Sequence, residues 1–250
     1  SLIERIIVGN AADQPAACAE LLRAMADQLR LDPDSSARGT LAQAAVAVIT
    51  ASTGQPQSGG RDAQAVTPRL VADMLTALAR LDALEIGEQL VRHLLDKPQT
   101  YGRDAVLVPA ALDLASRAPA VHNWPPVRDL LQACLRHLAQ RIAEPLAPPA
   151  DFARPSQLGC RCPYCTQLSA FLADPRRKQW ILKAAHTQRS HVEDTIRRDR
   201  CDVDTETVRR GSPHELHCTK NQASYGRRVA QREEDLRNER RLKGSTGGQM

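Results

Sequence analysis

Gly159-Cys160-Arg161-Cys162-Pro163-Tyr164-Cys165 sets three thiols within six positions. Cys162 and Cys165 form a C-x-x-C pair, a spacing that lets two thiolates converge on one ion from a tight turn, and Cys160 can add a third. A structural zinc site takes four nitrogen or sulfur ligands in a tetrahedron, so another contributor must come from further along. The chain offers His186, His191, Cys201, His214, His217 and Cys218. His191 is the preferred partner and Cys218 the next. One tetrahedral ion cannot take Cys160, Cys162, Cys165, His191 and Cys218 together, so either Cys160 or Cys218 stands apart or the site departs from that scheme. Two other readings stay open: buried thiols packing as small hydrophobes, and a redox disulfide. The second is weakened by the lack of a thioredoxin-like βαβ pattern around the pair.

Upstream of this stretch the chain is helical in pattern. Aromatics are only 3% of its 250 residues, so the core must rest on Leu, Ala, Val and Ile, a diet suited to helix-on-helix packing. Gln14-Pro15 opens a helix in which Leu21, Leu22, Met25 and Leu29 recur at helical spacing. A second is expected over 36–51, followed by a Gly, Ser and Gln loop over 53–64. Thr67-Pro68 is a start signal, a capping hydroxyl followed by proline, and Asp82 is a candidate cap for the next helix, which Lys97-Pro98 stops. Further helices fit 104–117, interrupted by Pro109, and 125–144. Pro145 and Pro148-Pro149 then make a semi-rigid spacer, with a boundary near 148.

Downstream of the cysteines, Leu168, Phe171 and Leu172 suggest a short helix ended by Asp174-Pro175. Trp180-Ile181-Leu182 supplies apolar bulk, and 187–198 is expected to be a helix projecting His191 and Thr195 from one face. Gly211-Ser212-Pro213 makes a turn, 216–219 a short strand and 224–242 a charged helix. Phe152, Tyr164, Phe171, Trp180 and Tyr225 are expected to fill a small core rather than stack on bases. The predicted fold is mainly α. A helical array over 1–148, HEAT/armadillo-like or an irregular bundle, precedes a metal-stapled α+β module with a charged C-terminal helix over 149–243 and a disordered tail over 244–250.

Charge divides the chain. Residues 1–150 carry a net −2 and residues 151–250 a net +7. A positive module suits an anionic partner, with Arg176, Arg177, Lys178, Arg197, Arg198, Arg209, Arg210, Lys220, Arg227 and Arg228 as candidate phosphate contacts. A solvated surface of interspersed charges is the plain alternative. No apolar run approaches the roughly 18–20 residues that cross a bilayer. Seven cysteines, an odd count, fit metal ligation in a reducing cytoplasmic compartment better than a disulfide framework. Ser1 in place of an initiator methionine suggests a piece of something longer.

Taken in order, Cys160-x-Cys162-x-x-Cys165, Leu168, Phe171-Leu172, Asp174-Pro175, Arg189-x-His191, Thr207-x-x-Arg210-Gly211-Ser212-Pro213 and Leu216-x-Cys218-Thr219-Lys220 form a series. The series resembles a cysteine-rich C-terminal region of large bacterial and fungal proteins labelled 2-oxoglutarate/iron oxygenase-like. The likeness covers about residues 148–240. It implies Cys160, Cys162, Cys165, His191 and Cys218 as candidate ligands, and a characteristic turn and strand at Gly211, Ser212, Pro213, Thr219 and Lys220. Any oxygenase part would lie upstream of Ser1.

Catalytic signals are sparse. His191-Val192-Glu193 with His214 or His217 imitates the two-His, one-carboxylate list of non-haem iron enzymes, yet the segment lacks the expected β-rich frame. Cys218 beside His217, and Ser212 near His214, are close only in sequence. No phosphate loop or dinucleotide fingerprint occurs, and His93, His122 and His137 suit surface or packing roles. The leading expectation is a non-catalytic module with a structural zinc ion that docks a protein partner. A nucleic-acid-binding zinc module comes second, and part of an oxygenase third.

Overall fold

In a computed structural model, which describes residues 2–11, 13–29, 37–51 and 66–246, proline sets where most helices begin. The elements run α1 (Leu2–Asn10), α2 (Pro15–Leu29), α3 (Ala37–Ala51), α4 (Pro68–Arg80), α5 (Leu84–Asp96), a π-helical turn (Arg103–Leu107), α6 (Val108–Ala115), α7 (Pro119–His122) and α8 (Pro125–Ala143). They continue with α9 (Pro163–Ala173), β1 (Gln179–Lys183), α10 (His186–Arg198), β2 (Val203–Val208), β3 (Glu215–Lys220) and α11 (Ala223–Thr246). Thr67 caps α4 as its sequence suggests, its hydroxyl accepting from the Leu70 N–H at 3.2 Å. Asp82 does not cap α5. It has φ +54 and ends the α4 turn instead, and Ala83 precedes α5 with no side-chain cap. The loop expected over 53–64 lies outside the described residues, as do 247–250 of the expected tail.

The chain divides into two compact units, Glu144–Glu233 and the remainder, Ser1–Ala143 with Glu234–Met250. In the larger unit α4 is central. Its nine residues from Leu70 to Leu78 are buried without interruption, and it packs against α2, α3, α5, α6, α7 and the π turn. A helix buried on every side needs its polar groups paired. Asp73 and Thr76 both take the Arg117 guanidinium, at 2.8 and 2.7 Å. The helix expected over 104–117 exists but opens as the π turn, where the Val108 N–H reaches back to the Arg103 carbonyl just ahead of Pro109. In the same unit the later part of α11 joins this core through Leu242, and Arg141 grips the buried Asp235 with two nitrogens.

The smaller unit is a three-stranded antiparallel sheet, ordered β1-β3-β2, with α9 and α10 packed against each other. Trp180 and Leu182 of β1 alternate with exposed Gln179, Ile181 and Lys183, the period of a half-buried strand. Leu168, Phe171, Leu172, Trp180, Leu182, Val192, Ile196, Val203 and Leu216 make its core, with Phe171 and Trp180 ring centroids 5.8 Å apart. Buried cations tie its loops to this core. Arg189 donates to the carbonyls of Ala184 and His214 at 2.7 and 3.3 Å, and Arg154 donates to Asn221 at 2.9 Å. The expected turn after β2 has Gly211 at φ +74 and a cis Ser212–Pro213 bond. No described helix is long and apolar enough to cross a membrane.

Candidate metal centre

Two elements bring the ligands together. The loop into α9 supplies Cys160 and Cys162, and the first turn of that helix supplies Cys165. Cys162 is the N-cap, in extended conformation, with its sulfur accepting from the Cys165 N–H at 3.5 Å. Pro163 follows at the first helical position, where its fixed φ starts the helix and no N–H is lost. α10 supplies His191 from its middle, with Thr195 one turn later on the same face.

The His191 Nε2 lies 3.4 Å from Cys160 Sγ, 3.4 Å from Cys162 Sγ and 3.3 Å from Cys165 Sγ. All four ligand atoms fall within 4.8 Å of one another, and these are the one such His, Cys, Asp or Glu group among the described residues. An imidazole nitrogen carries one proton or one lone pair, so it cannot hydrogen-bond three sulfurs at once. Ordinary zinc bond lengths at a tetrahedral angle place nitrogen about 3.6 Å from each sulfur. The observed spacing is close to that, and the donor set is the Cys₃His set of structural zinc sites. The residues present fit the ion.

The surroundings hold the ligands in place. Cys165 is fully buried, and burial pushes its thiol up to about 11; protonated, it donates to Thr195 Oγ1 at 3.6 Å. Thr195 in turn donates to the His191 carbonyl at 2.9 Å. Cys162 moves the other way. The Cys165 backbone N–H at the helix N-terminus brings its thiol down to about 6, a thiolate at neutral pH. At the far end of α10, Asp199 accepts from the Gly159 N–H at 3.1 Å and pairs with Arg198, which holds its carboxyl below the usual range. The cysteine loop is therefore clamped to α10 through both the imidazole and this carboxylate.

The other candidates lie elsewhere. Cys218 is not in the group. It sits on β3 opposite Trp180 and Thr205, inside the sheet core, where burial pushes its thiol up to about 12. Strand alternation turns it onto the apolar face with Leu216. Cys201 is also core, His214 bonds the Gly211 carbonyl at 2.9 Å, and His217 bonds Glu215 at 3.1 Å. His214 and His217 thus have partners of their own and do not assemble with His191 and Glu193. None of the seven cysteines is in a disulfide.

Lys220 is not a surface cation. It is 4% exposed, donates to the Asp174 carbonyl at 2.7 Å and stands 4.5 Å over the Phe171 ring. Arg197, Arg198 and Arg227 pair with Asp194, Asp199 and Asp202, and Arg228 donates to the Pro145 carbonyl. Arg176, Arg177, Lys178, Arg209 and Arg210 are exposed. The register separates them. Arg176 to Lys178 precede Gln179, opposite Thr219, whereas Arg209 and Arg210 follow Val208, opposite Glu215 at the other end of β3. Four residues of strand put about 13 Å between those levels.

Sequence reasoning missed β1 and β2. In β2 the signal was present, since Val203, Thr205 and Thr207 alternate with Asp204 and Glu206. In β1 three consecutive apolar residues masked the alternation. Asp199 as a clamp carried no sequence signal, because its role depends on the chain folding back to Gly159. No family model matches the chain, and neither a curated protein nor a solved structure does.

Proposed function

We propose that this chain is a non-catalytic binding module whose Cys160, Cys162, Cys165 and His191 hold one structural zinc ion. The observation that carries the proposal is the donor set: four protein side chains converge, which would fill a tetrahedral zinc and leave no position for a substrate. A small unit gains folding free energy from such an ion, on the order of 10–16 kcal/mol of apparent binding in isolated zinc modules. The ion here would join the start of α9 to α10, two segments 26 residues apart at their nearest ligands.

The larger unit is better described as an irregular bundle than as a HEAT or armadillo stack. In a stack each helix meets its neighbours alone, whereas α4 is surrounded. Partner docking, the role we assign to the module, belongs to exposed surfaces rather than to a concave inner face. The oxygenase reading is the least favoured, since His191 lies among three cysteines while His214 and His217 bond Gly211 and Glu215. Nucleic-acid binding is the weaker alternative, because half of its candidate cations have local partners and the rest lie at two ends of the sheet.

The test is a zinc K-edge absorption spectrum of the purified chain, with elemental analysis beside it. We expect one zinc per chain with three sulfurs and one nitrogen around it. A first shell containing exchangeable water oxygen, or turnover by the isolated chain, would overturn the non-catalytic assignment.

A further inference from the structure

The outer edge of β1 is an open hydrogen-bonding surface. The Lys220 N–H donates to the Lys178 carbonyl at 2.9 Å, which sets the phase of the β1–β3 ladder. In that phase Trp180 and Leu182 turn their backbone polar groups toward β3, and Gln179, Ile181 and Lys183 turn theirs away. β1 is the first strand of the sheet, and the outward groups of these three residues make no backbone bond to another described residue. The side chains along the edge agree. Arg176, Arg177, Lys178, Gln179 and Lys183 are exposed, and Ile181, at 52%, is the most exposed large hydrophobic among the described residues.

The edge is also strongly basic. Its cations are Arg176, Arg177, Lys178 and Lys183; of the acids beside them, Asp174 is already occupied by the Arg176 and Arg177 backbone N–H groups at 2.8 and 3.3 Å. Lys183 reaches Glu215 only at 4.0 Å. Lysine at an edge deters strands of like charge, a second copy of the same edge included. An acidic strand meets no such penalty. It would complete the ladder, neutralise the cations and cover Ile181.

We infer that the β1 edge takes an acidic, extended segment of a partner protein as a fourth strand. Main-chain bonds to Gln179, Ile181 and Lys183 would supply affinity, and the Arg176–Lys178 cluster would select for carboxylates. The inference rests on the binding-module reading and names the partner's chemistry.

A fluorescein-labelled ten-residue peptide of alternating glutamate and valine, titrated with the full zinc-loaded chain at physiological salt, tests it by anisotropy. We expect saturable binding. The same peptide N-methylated at alternate backbone nitrogens should bind at least tenfold more weakly. Ile181→Pro should do the same, since it removes an outward N–H and no bond of the sheet. Should that variant lose its fold, Arg176→Glu with Lys178→Glu replaces it, with the same tenfold loss expected. The inference is overturned by absent binding, by equal affinity for the N-methylated peptide, by indifference to the charge reversal, or by peptide uptake that merely follows self-association of the chain. Failure with one zinc per chain retained would sink the edge alone, whereas a chain without zinc would sink the module reading.

Discussion

At Cys165 two demands oppose each other. Burial raises its thiol to about 11, so without a cation the neutral thiol is the stable form at neutral pH. A metal inverts that preference and takes the sulfur as thiolate. Its neighbour Cys162, at the start of α9, is already the anion. The chain thus offers one prepared sulfur in the loop and one withheld at the core, where the Thr195 hydroxyl and the His191 ring fix its surroundings. Cys165→Ala is accordingly expected to leave the chain without bound zinc. Cys218→Ala is expected to keep one zinc per chain, with a modest loss of stability from the shortened core side chain. Elemental analysis of both variants checks this, and zinc lost from the second instead of the first would contradict the ligand assignment. The reading of the sequence put His191 first among the partners and Cys218 next. What it could not supply was the side of β3 on which Cys218 would fall, because that depends on the register with β1 and β2.

Among the elements, the helix starts were the most legible, since Pro15, Pro68 and Pro125 act through their own missing N–H groups. Contacts distant in sequence were not. Gly87 in α5 shows this. A Cβ built there would lie 2.1 Å from the Trp124 ring, which is itself buried beside Pro126. Helix propensity favours alanine by about 1 kcal/mol, but overpacking a well-filled core costs about 1–3 kcal/mol. Gly87→Ala is expected to destabilise the larger unit, read as a lower urea midpoint with an unchanged slope; a raised midpoint would show that the ring yields freely. The π turn carries a second expectation. Burial raises the Asp104 carboxyl, but hydrogen bonds from His137 and Arg141 outweigh it, and the group lies below its ordinary value. A depressed carboxylate contributes stability above its unfolded pKa of about 3.9 and loses it as pH falls through the lower folded value. Asp104→Asn should therefore flatten the acid side of the stability profile below about pH 4. An unchanged profile would mean that the ion pair contributes nothing in water.

For the whole molecule, the sequence announced a helical part and a cysteine-rich part, and the charge difference between them was plain. The path of the last helix was not. α11 begins in the smaller unit, and from Glu234 onward it belongs with the larger one, anchored there by Asp235 on Arg141 and by buried Leu242. Its sequence is dense in Arg and Glu, and the two residues that anchor it do not stand out from a solvated helix. The smaller unit has a short apolar core, and its four-ligand group joins the start of α9 to α10. If zinc is what holds that unit, its removal should act on one unit and not the other. Amide hydrogen exchange on the intact chain, before and after chelation, measures this peptide by peptide. We expect protection to collapse across residues 159–220 and to persist in α4 and α8. Unchanged protection of α9 and α10 after the metal has gone, or collapse of both units together, would contradict the account.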